Sequence, residues 1–420
     1  MKIAEDQPPG LTALDRPNSY IGRSVPRPNL ARLTQGRGQY VSDVLLPRMA
    51  HVAFVRSPHA HARIKRIDTE AARKASGIVA VVTGPELAKV ITPWVGVLTH
   101  LKGIKSAPQH AIAVERACWQ GEAVCAVVAK GRAEAEDACA LVEIAYEILP
   151  AVTDPETALD AKTPVIHPEL GDNLTFERVL NAGDVDKGFA EADAVVETTF
   201  VFGRHTGVTN EPRAIVADWN AGEQRLTVYQ GTQAPHMTQN LFAKHLKLEE
   251  HQVRVVTKDV GGSFGIKVHI YADEMAAVVD VDPDTGRVAV RKIVSAHDVG
   301  RALNPAAAEG QVHGGIHMGL GYALSEKLVV EQGQVLSQTF MDYAVLKADD
   351  MPEIVVRLIE SVDAEGPFGA KGLGESGVIP VAAAVRNAIK DAIGERFTEL
   401  PITPEHVRAS LQRAAARHPR

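Results

Sequence analysis

The chain has 420 residues, enough for two or three domains, and its composition is that of an ordinary globular protein. Its net charge of −7 excludes the basic footprint of a nucleic-acid binder. Three cysteines (Cys118, Cys125 and Cys139) with no C-x-x-C pair exclude a disulfide framework and a zinc or iron–sulfur signature. They read as small buried apolar residues in a reducing, cytoplasmic setting.

Residues 1–35, rich in Pro, Arg and Asn, read as an extended arm lying on another surface. No apolar core region or twin arginine marks a secretion signal, and no run approaches the ~18 apolar residues of a membrane span. Residues 36–153 alternate strands and helices. Strands are predicted at 50–56, 77–83, 122–129 and 143–148, with an Ala-rich helix at 133–142. Residues 154–174 hold Pro155, Pro164, Pro168 and Gly171 and read as a linker.

Residues 175–277 form the next unit. A strand at 226–230 leads through Gly231-Thr232-Gln233 into a helix at 235–246, with Pro235 at its first position. A strand at 252–257 follows, then Gly261-Gly262-Ser263-Phe264-Gly265. Strand, helix, strand implies a parallel crossover, which puts Gln233 and the glycine loop at one carboxyl sheet edge. A junction falls near Ala277, where a short helix at 273–277 meets a strand at 278–283 and a turn ending at Gly286.

Residues 278–420 complete the chain. A long strand is predicted at 287–296, then His297-Asp298. A helix at 306–324 contains Gly310, Gly314, Gly315, Gly319 and Gly321. Each interior glycine costs about 1 kcal/mol against alanine, so five imply close backbone packing or a broken helix. A hairpin turns at Gln332-Gly333, and an amphipathic helix is predicted at 380–393. Between them lies Lys371-Gly372-Leu373-Gly374-Glu375-Ser376-Gly377, a lone carboxylate in a run of glycines.

Several motifs fail their own requirements. Gly372-x-Gly374-x-x-Gly377 has no strand before it, so a nicotinamide fingerprint is poorly supported, and residues 261–267 lack the Gly-Lys-Ser/Thr of a P-loop. His59 and His61 are too few for a metal site. His297-Asp298 and Ser263 lack a nucleophile elbow. What remains is three backbone-rich loops, one amide (Gln233) and one carboxylate (Glu375), without metal ligands. That set suits an anionic cofactor that brings its own chemistry.

These strings resemble one family. Gly38-Gln-Tyr-Val-Ser-Asp43, Arg56-Ser-Pro-His-Ala-His-Ala-Arg63 and Gly121-Glu122 look like its α/β hammerhead domain. Asn210-Glu-Pro-Arg213, Gly231-Thr-Gln233, Gly261-Gly-Ser-Phe-Gly265, His297-Asp-Val-Gly-Arg301, Gly310-Gln-Val-His-Gly-Gly315 and Lys371-Gly-Leu-Gly-Glu375 look like its molybdenum-site motifs, in family order. The chain resembles the molybdopterin-binding large subunit of the xanthine dehydrogenase, aldehyde oxidase and carbon monoxide dehydrogenase family over nearly all of residues 15–410.

The resemblance implies an α+β (mixed α/β) fold: an arm at 1–35, a hammerhead domain at 36–153, a linker at 154–174, and an incomplete molybdopterin-binding domain at 175–277 and 278–420. It implies oxidative hydroxylation of an aldehyde or aromatic heterocycle. The implied cofactor is a molybdenum–molybdopterin, as its cytosine dinucleotide. Partner subunits would carry 2Fe-2S and FAD in a hetero-oligomer. Gln233 would hydrogen-bond the apical oxo group, while Gly262, Phe264 and Gly265 line the metal and pterin. Gln311, Gly315 and Gly374 would hold the pterin or its tail, and Glu375 would be the general base.

Two departures stand out. Val268 replaces a glutamate of the purine-oxidising branch, which argues against a purine. The long central segment expected at the junction is missing, with its Arg-rich motif, its Gly-Gln-Gly loop and its active-site loop. A second reading is therefore a catalytically silent paralogue that acts as a scaffold. Removing the middle is expected to expose apolar surface on the helix at 306–324 and on the sheet ending at Thr257.

Overall fold

A computed structural model of the chain describes residues 20–95, 101–180, 182–268, 290, 292–361, 363–393, 397–407 and 409. The expected junction near Ala277, with its helix, strand and turn, lies outside these residues.

The N-terminal unit is built on two antiparallel sheets. Strand β1 (His51–Arg56) and strand β3 (Ile78–Thr83) flank β4 (Ala123–Ala129), while β2 (Ala62–Asp68) pairs with β5 (Glu143–Ile148). β4 reads as a continuous apolar run because it is central and nearly all of it is buried. Helix α1 (Arg132–Cys139) closes two core clusters, one through Ala138 and one through Ala135. Strand β2 has no counterpart in the sequence reading. Its alternation is masked by Arg63, Lys65 and Arg66, which point to solvent and meet Glu147 and Asp68.

The expected linker at 154–174 is a tied loop. Asn173 donates to the carbonyls of Ala158 (2.9 Å) and Pro164 (3.0 Å), and its side-chain oxygen accepts from Ile166 (3.1 Å). The arm contains a helical turn at Leu30–Thr34 and docks through Arg32, which makes two bonds to Asp259 at 2.6 and 2.7 Å.

The remainder uses one device twice. Strand β6 (Ile215–Asn220) runs antiparallel to β7 (Arg225–Gln230). Helix α2 (Pro235–Leu246) then crosses to β8 (Val253–Val256), which lies parallel to β7 with Val253 opposite Leu226. Ile215, Val228, Phe242 and Val253 form the core between them. Strand β9 (Lys292–Asp298) pairs in parallel with β10 (Glu353–Ile359), and helix α3 (Pro305–Leu324) lies between them in sequence. Helix α4 (Val381–Ile393) packs on α3 through Val312, Ile316, Leu320, Val381 and Val385. Asn304 caps α3 by accepting from the Ala307 N–H at 3.3 Å.

Helix α3 is unbroken despite its five glycines. A Cβ on Gly315 would lie 2.8 Å from the Gly377 carbonyl carbon, and one on Gly319 would lie 2.5 Å from Val381 Cβ. Gly310 and Gly314 instead face open space. Close packing therefore accounts for part of the glycine run, and the rest keeps one face clear.

The apolar surface expected on α3 is mostly covered, because α3 buries Val312, Ile316, Leu320 and Ala323, and at the end of β8 Val255, Val256 and Thr257 are half-buried. Exposed apolar side chains gather instead at 179–202 and on the two-stranded β9–β10 sheet, at Val294 and Ile359.

Candidate cofactor-binding loops

Both crossover units place their loops at the carboxyl ends of parallel strands, where ligands of such sheets bind. In the first unit a buried ion pair holds the loops. Lys267 and Glu211, with side chains 1% and 8% exposed, meet at 2.8 Å. The same Glu211 oxygen accepts from the Gly261 N–H at 2.8 Å, and the other accepts from Val41 at 3.3 Å. The Lys267 carbonyl accepts the Gln233 N–H (3.0 Å) and the Thr232 hydroxyl (3.1 Å). Gln233 in turn accepts the Gly265 N–H on its side-chain oxygen at 3.1 Å. One pair of charges thus fixes both the Gln233 loop and the glycine loop. Gly262 and Gly265 have φ of 97° and 86°, which suits glycine, and Phe264 sits at φ 46° with half its surface exposed. A left-handed, exposed aromatic is a strained arrangement of the kind that clusters at ligand sites.

In the second unit Asp298 and Lys371 form the clamp. The Lys371 ammonium donates to Asp298 (2.7 Å) and to the Ser361 hydroxyl (2.7 Å), and that hydroxyl donates to Asp298 (2.5 Å). Lys371 first, then Ser361 and the Gly300 N–H, hold the Asp298 carboxyl well below the usual range. Its neighbour His297 bonds Ser295 at 2.7 Å, so the His297-Asp298 string is a loop anchor and not a triad fragment. Gln311 donates to the Gly374 carbonyl at 2.5 Å, and Gly315 packs against Gly377. Glu375 is exposed between these anchors.

The free groups on these loops define what they can bind. Among the described residues, the backbone N–H groups of 262–264 and of 372–377 have no partner. The hydroxyls of Ser263 and Ser376 are buried without a partner. A Cβ on Gly265, Gly310, Gly314, Gly372 or Gly374 would meet only open space. Runs of unpaired N–H groups with cleared approaches form concavities for anions. These residues fit a large anionic group rich in acceptors, such as a pterin with its phosphates.

A bridge at 203–211 joins the two loop sets. A Cβ on Gly207 would lie 3.1 Å from the Phe264 carbonyl oxygen. The His205 ring packs tilted against Tyr322, with centroids 3.9 Å apart, and the Thr206 N–H donates to the Tyr343 hydroxyl at 2.9 Å. Tyr343 donates to buried Glu326 at 2.8 Å. The Tyr322 phenol is raised by burial, then by the charges of Glu326 and Glu375. Sequence reasoning passed over Lys267, Tyr343 and Glu326. Their one signal was an ionisable or phenolic side chain inside apolar, glycine-rich strings.

Other candidates lie apart. His61 bonds the Pro150 carbonyl at 2.7 Å and His59 packs edge-on against Tyr146. No group of three metal-ligating side chains occurs among the described residues. A cavity of about 670 Å³ lies in the N-terminal region, lined by Trp94, Lys105, Arg116, Trp119, Glu122 and His167, away from both loop sets. There burial pushes Glu122 up to about 7, although its carboxyl accepts the Cys118 N–H at 2.6 Å. Burial likewise raises Cys118, Cys125 and Cys139 to about 11, about 12 and about 11, so all three free thiols are poor nucleophiles at neutral pH.

Comparison with known proteins identifies the domains of the chain. Residues 166–282 and 267–352 match two molybdopterin cofactor-binding domain families, and residues 35–150 match the aldehyde oxidase and xanthine dehydrogenase a/b hammerhead domain. The nicotine 6-hydroxylase large subunit of Paenarthrobacter nicotinovorans is 35% identical over 270 residues, 62% of this chain and 33% of that protein. The carbon monoxide dehydrogenase large chain of Afipia carboxidovorans is 34% identical over 283 residues, 64% of this chain and 34% of that one. The chain thus spans about a third of the length of these relatives. Quinoline 2-oxidoreductase from Pseudomonas putida 86 shares the fold, with a TM-score of 0.85 at 18% identity over 94% of this chain and 98% of that one. With its hammerhead domain, its cofactor-binding domains and these relatives, the chain belongs to the molybdopterin-binding large-subunit family of the molybdenum hydroxylases.

Proposed function

We propose that the chain is the large subunit of a molybdenum hydroxylase that oxidatively hydroxylates an aldehyde or aromatic heterocycle in the cytoplasm. The observation that carries this reading is the pair of glycine loops, whose unpaired N–H groups and partnerless buried hydroxyls suit one large anionic cofactor. Relatives named as nicotine and carbon monoxide oxidising subunits support it. Molybdenum–molybdopterin, as its cytosine dinucleotide, supplies the two-electron redox chemistry when bound.

The chain's own residues then have limited tasks. The N–H groups of 372–377, with those of 262–264, bind the acceptor atoms. The Gln233 side chain keeps its oxygen on Gly265 and leaves its amide N–H₂ to donate into the site. Phe264 offers an apolar face, and Gln311 holds Gly374 so that Glu375 stays at the mouth of the cradle. The Glu375 carboxylate accepts the proton released as water's oxygen is added to the substrate, the task of a positioned general base. 2Fe-2S and FAD on partner subunits would take up the two electrons. Val268, where the purine-oxidising branch carries a glutamate, favours a substrate other than a purine.

A second reading rests on a different observation. The chain covers a third of its relatives, and Glu375 is exposed among the described residues. A silent paralogue that only docks to partner subunits would look like this. Elemental analysis of the chain, purified after co-expression with iron–sulfur and flavin subunits, decides between them. One molybdenum to one chain is expected, and metal-free protein would remove the enzymatic reading.

A further inference from the structure

Residues 177–202 lie on the surface throughout, Asn181 apart, which is outside the described residues. They carry Val179, Leu180, Val185, Phe189, Val195, Val196, Phe200, Val201 and Phe202, each more than half exposed. Exposed apolar groups scattered singly are normal, but nine in one segment mark an interaction surface. Within it, residues 193–202 read Asp-Ala-Val-Val-Glu-Thr-Thr-Phe-Val-Phe, a composition that prefers strands. Only the last two pair: Val201 and Phe202 lie parallel to Glu399 and Leu400. For residues 193–200 neither the N–H nor the carbonyl groups have a backbone partner among the described residues. One end is nonetheless held, since the Arg386 guanidinium stacks over Phe200 at 5.1 Å.

An anchored, strand-prone segment with an unpaired backbone and apolar side chains is an acceptor for an added strand. Its charge selects the donor. Residues 177–202 carry six carboxylates (Glu177, Asp184, Asp186, Glu191, Asp193 and Glu197) against two cations (Arg178 and Lys187), a net charge of −4. A second copy would bring the same six carboxylates against these six. Like charges across a strand pair destabilise it, which argues against self-pairing. We propose that residues 193–200 receive a β-strand of a separate partner polypeptide, apolar on one side and bearing Lys or Arg on the other.

The proposal does not depend on molybdenum and is tested without it. The probe is a synthetic peptide alternating valine with lysine, with a control carrying glutamate at every lysine position. Binding is followed by fluorescence anisotropy and by amide hydrogen exchange on the intact chain. The basic peptide is expected to bind at least ~10-fold more tightly than the acidic one and to weaken in salt. It should slow exchange at 193–200, and Val196→Asp, at a site 85% exposed where folding is not at stake, should weaken it at least ~10-fold. Equal binding of both peptides, no protection at 193–200, or an unaffected Val196→Asp variant would overturn the proposal. So would self-association that protects the same amides, because the occupant would then be a second copy.

Discussion

Lys267→Met is expected to lower the unfolding free energy by about 3–5 kcal/mol, the cost of leaving one buried charge without its partner. The Glu211 carboxylate would stay buried with only the N–H groups of Gly261 and Val41 to stabilise it. Because the Lys267 carbonyl also orders Thr232 and Gln233, local protection of both loops should fall with global stability. Urea unfolding with hydrogen exchange reads both. The double variant Glu211→Gln with Lys267→Met is expected to recover most of the loss, because two neutral groups of similar volume need no counter-charge and glutamine still accepts the Gly261 N–H. A single variant as stable as wild type would show that the pair is not the pivot of these loops.

Glu375→Gln in the molybdenum-loaded complex is expected to reduce the rate of dye reduction with an aromatic aldehyde by ~10²–10⁴-fold, the usual contribution of a general base. Glutamine keeps the size of the side chain and cannot accept the proton. The loop itself should not move. Its anchors are the Lys371–Asp298 clamp, the Gln311 bond to the Gly374 carbonyl and the Gly315–Gly377 packing, and none uses the Glu375 carboxylate. Cofactor content and melting temperature should therefore be unchanged. Unaltered turnover would remove Glu375 from the reaction.

Periodicity and turn chemistry made much of this architecture legible in the sequence. The helix opened by Pro235, the Gln332-Gly333 hairpin and the apolar run of β4 each announce themselves locally. The parallel register of β7 and β8 followed from the intervening helix. Strand β2 escaped because its exposed face is all charge. Strand β10 escaped because Glu353 and Arg357 interrupt an otherwise apolar run whose partner, β9, lies more than fifty residues away. Glycine strings likewise pointed to the loops, since they are visible without a structure. The charges that position them were not legible. Lys267 and Glu211 are 56 residues apart, and Asp298 and Lys371 are 73 apart. Only folding brings such pairs together. The Gln311 side chain, which the resemblance directs toward the cofactor, is bonded to the Gly374 carbonyl, so its effect on a bound pterin would pass through the position of the loop.

If the cleared glycine loop before α4 holds the cofactor, as proposed, Gly374→Val should release it. A Cβ at Gly374 meets nothing within 4 Å and the residue does not need a left-handed backbone, so the variant should fold within about 0.5 kcal/mol of wild type. The added side chain would occupy the space beside the unpaired N–H groups. Pterin released on oxidative denaturation, measured by fluorescence alongside molybdenum, should be stoichiometric in the wild-type chain and lost from the variant, with the same melting temperature. Equal retention by both proteins would mean that the cofactor is held somewhere other than this loop.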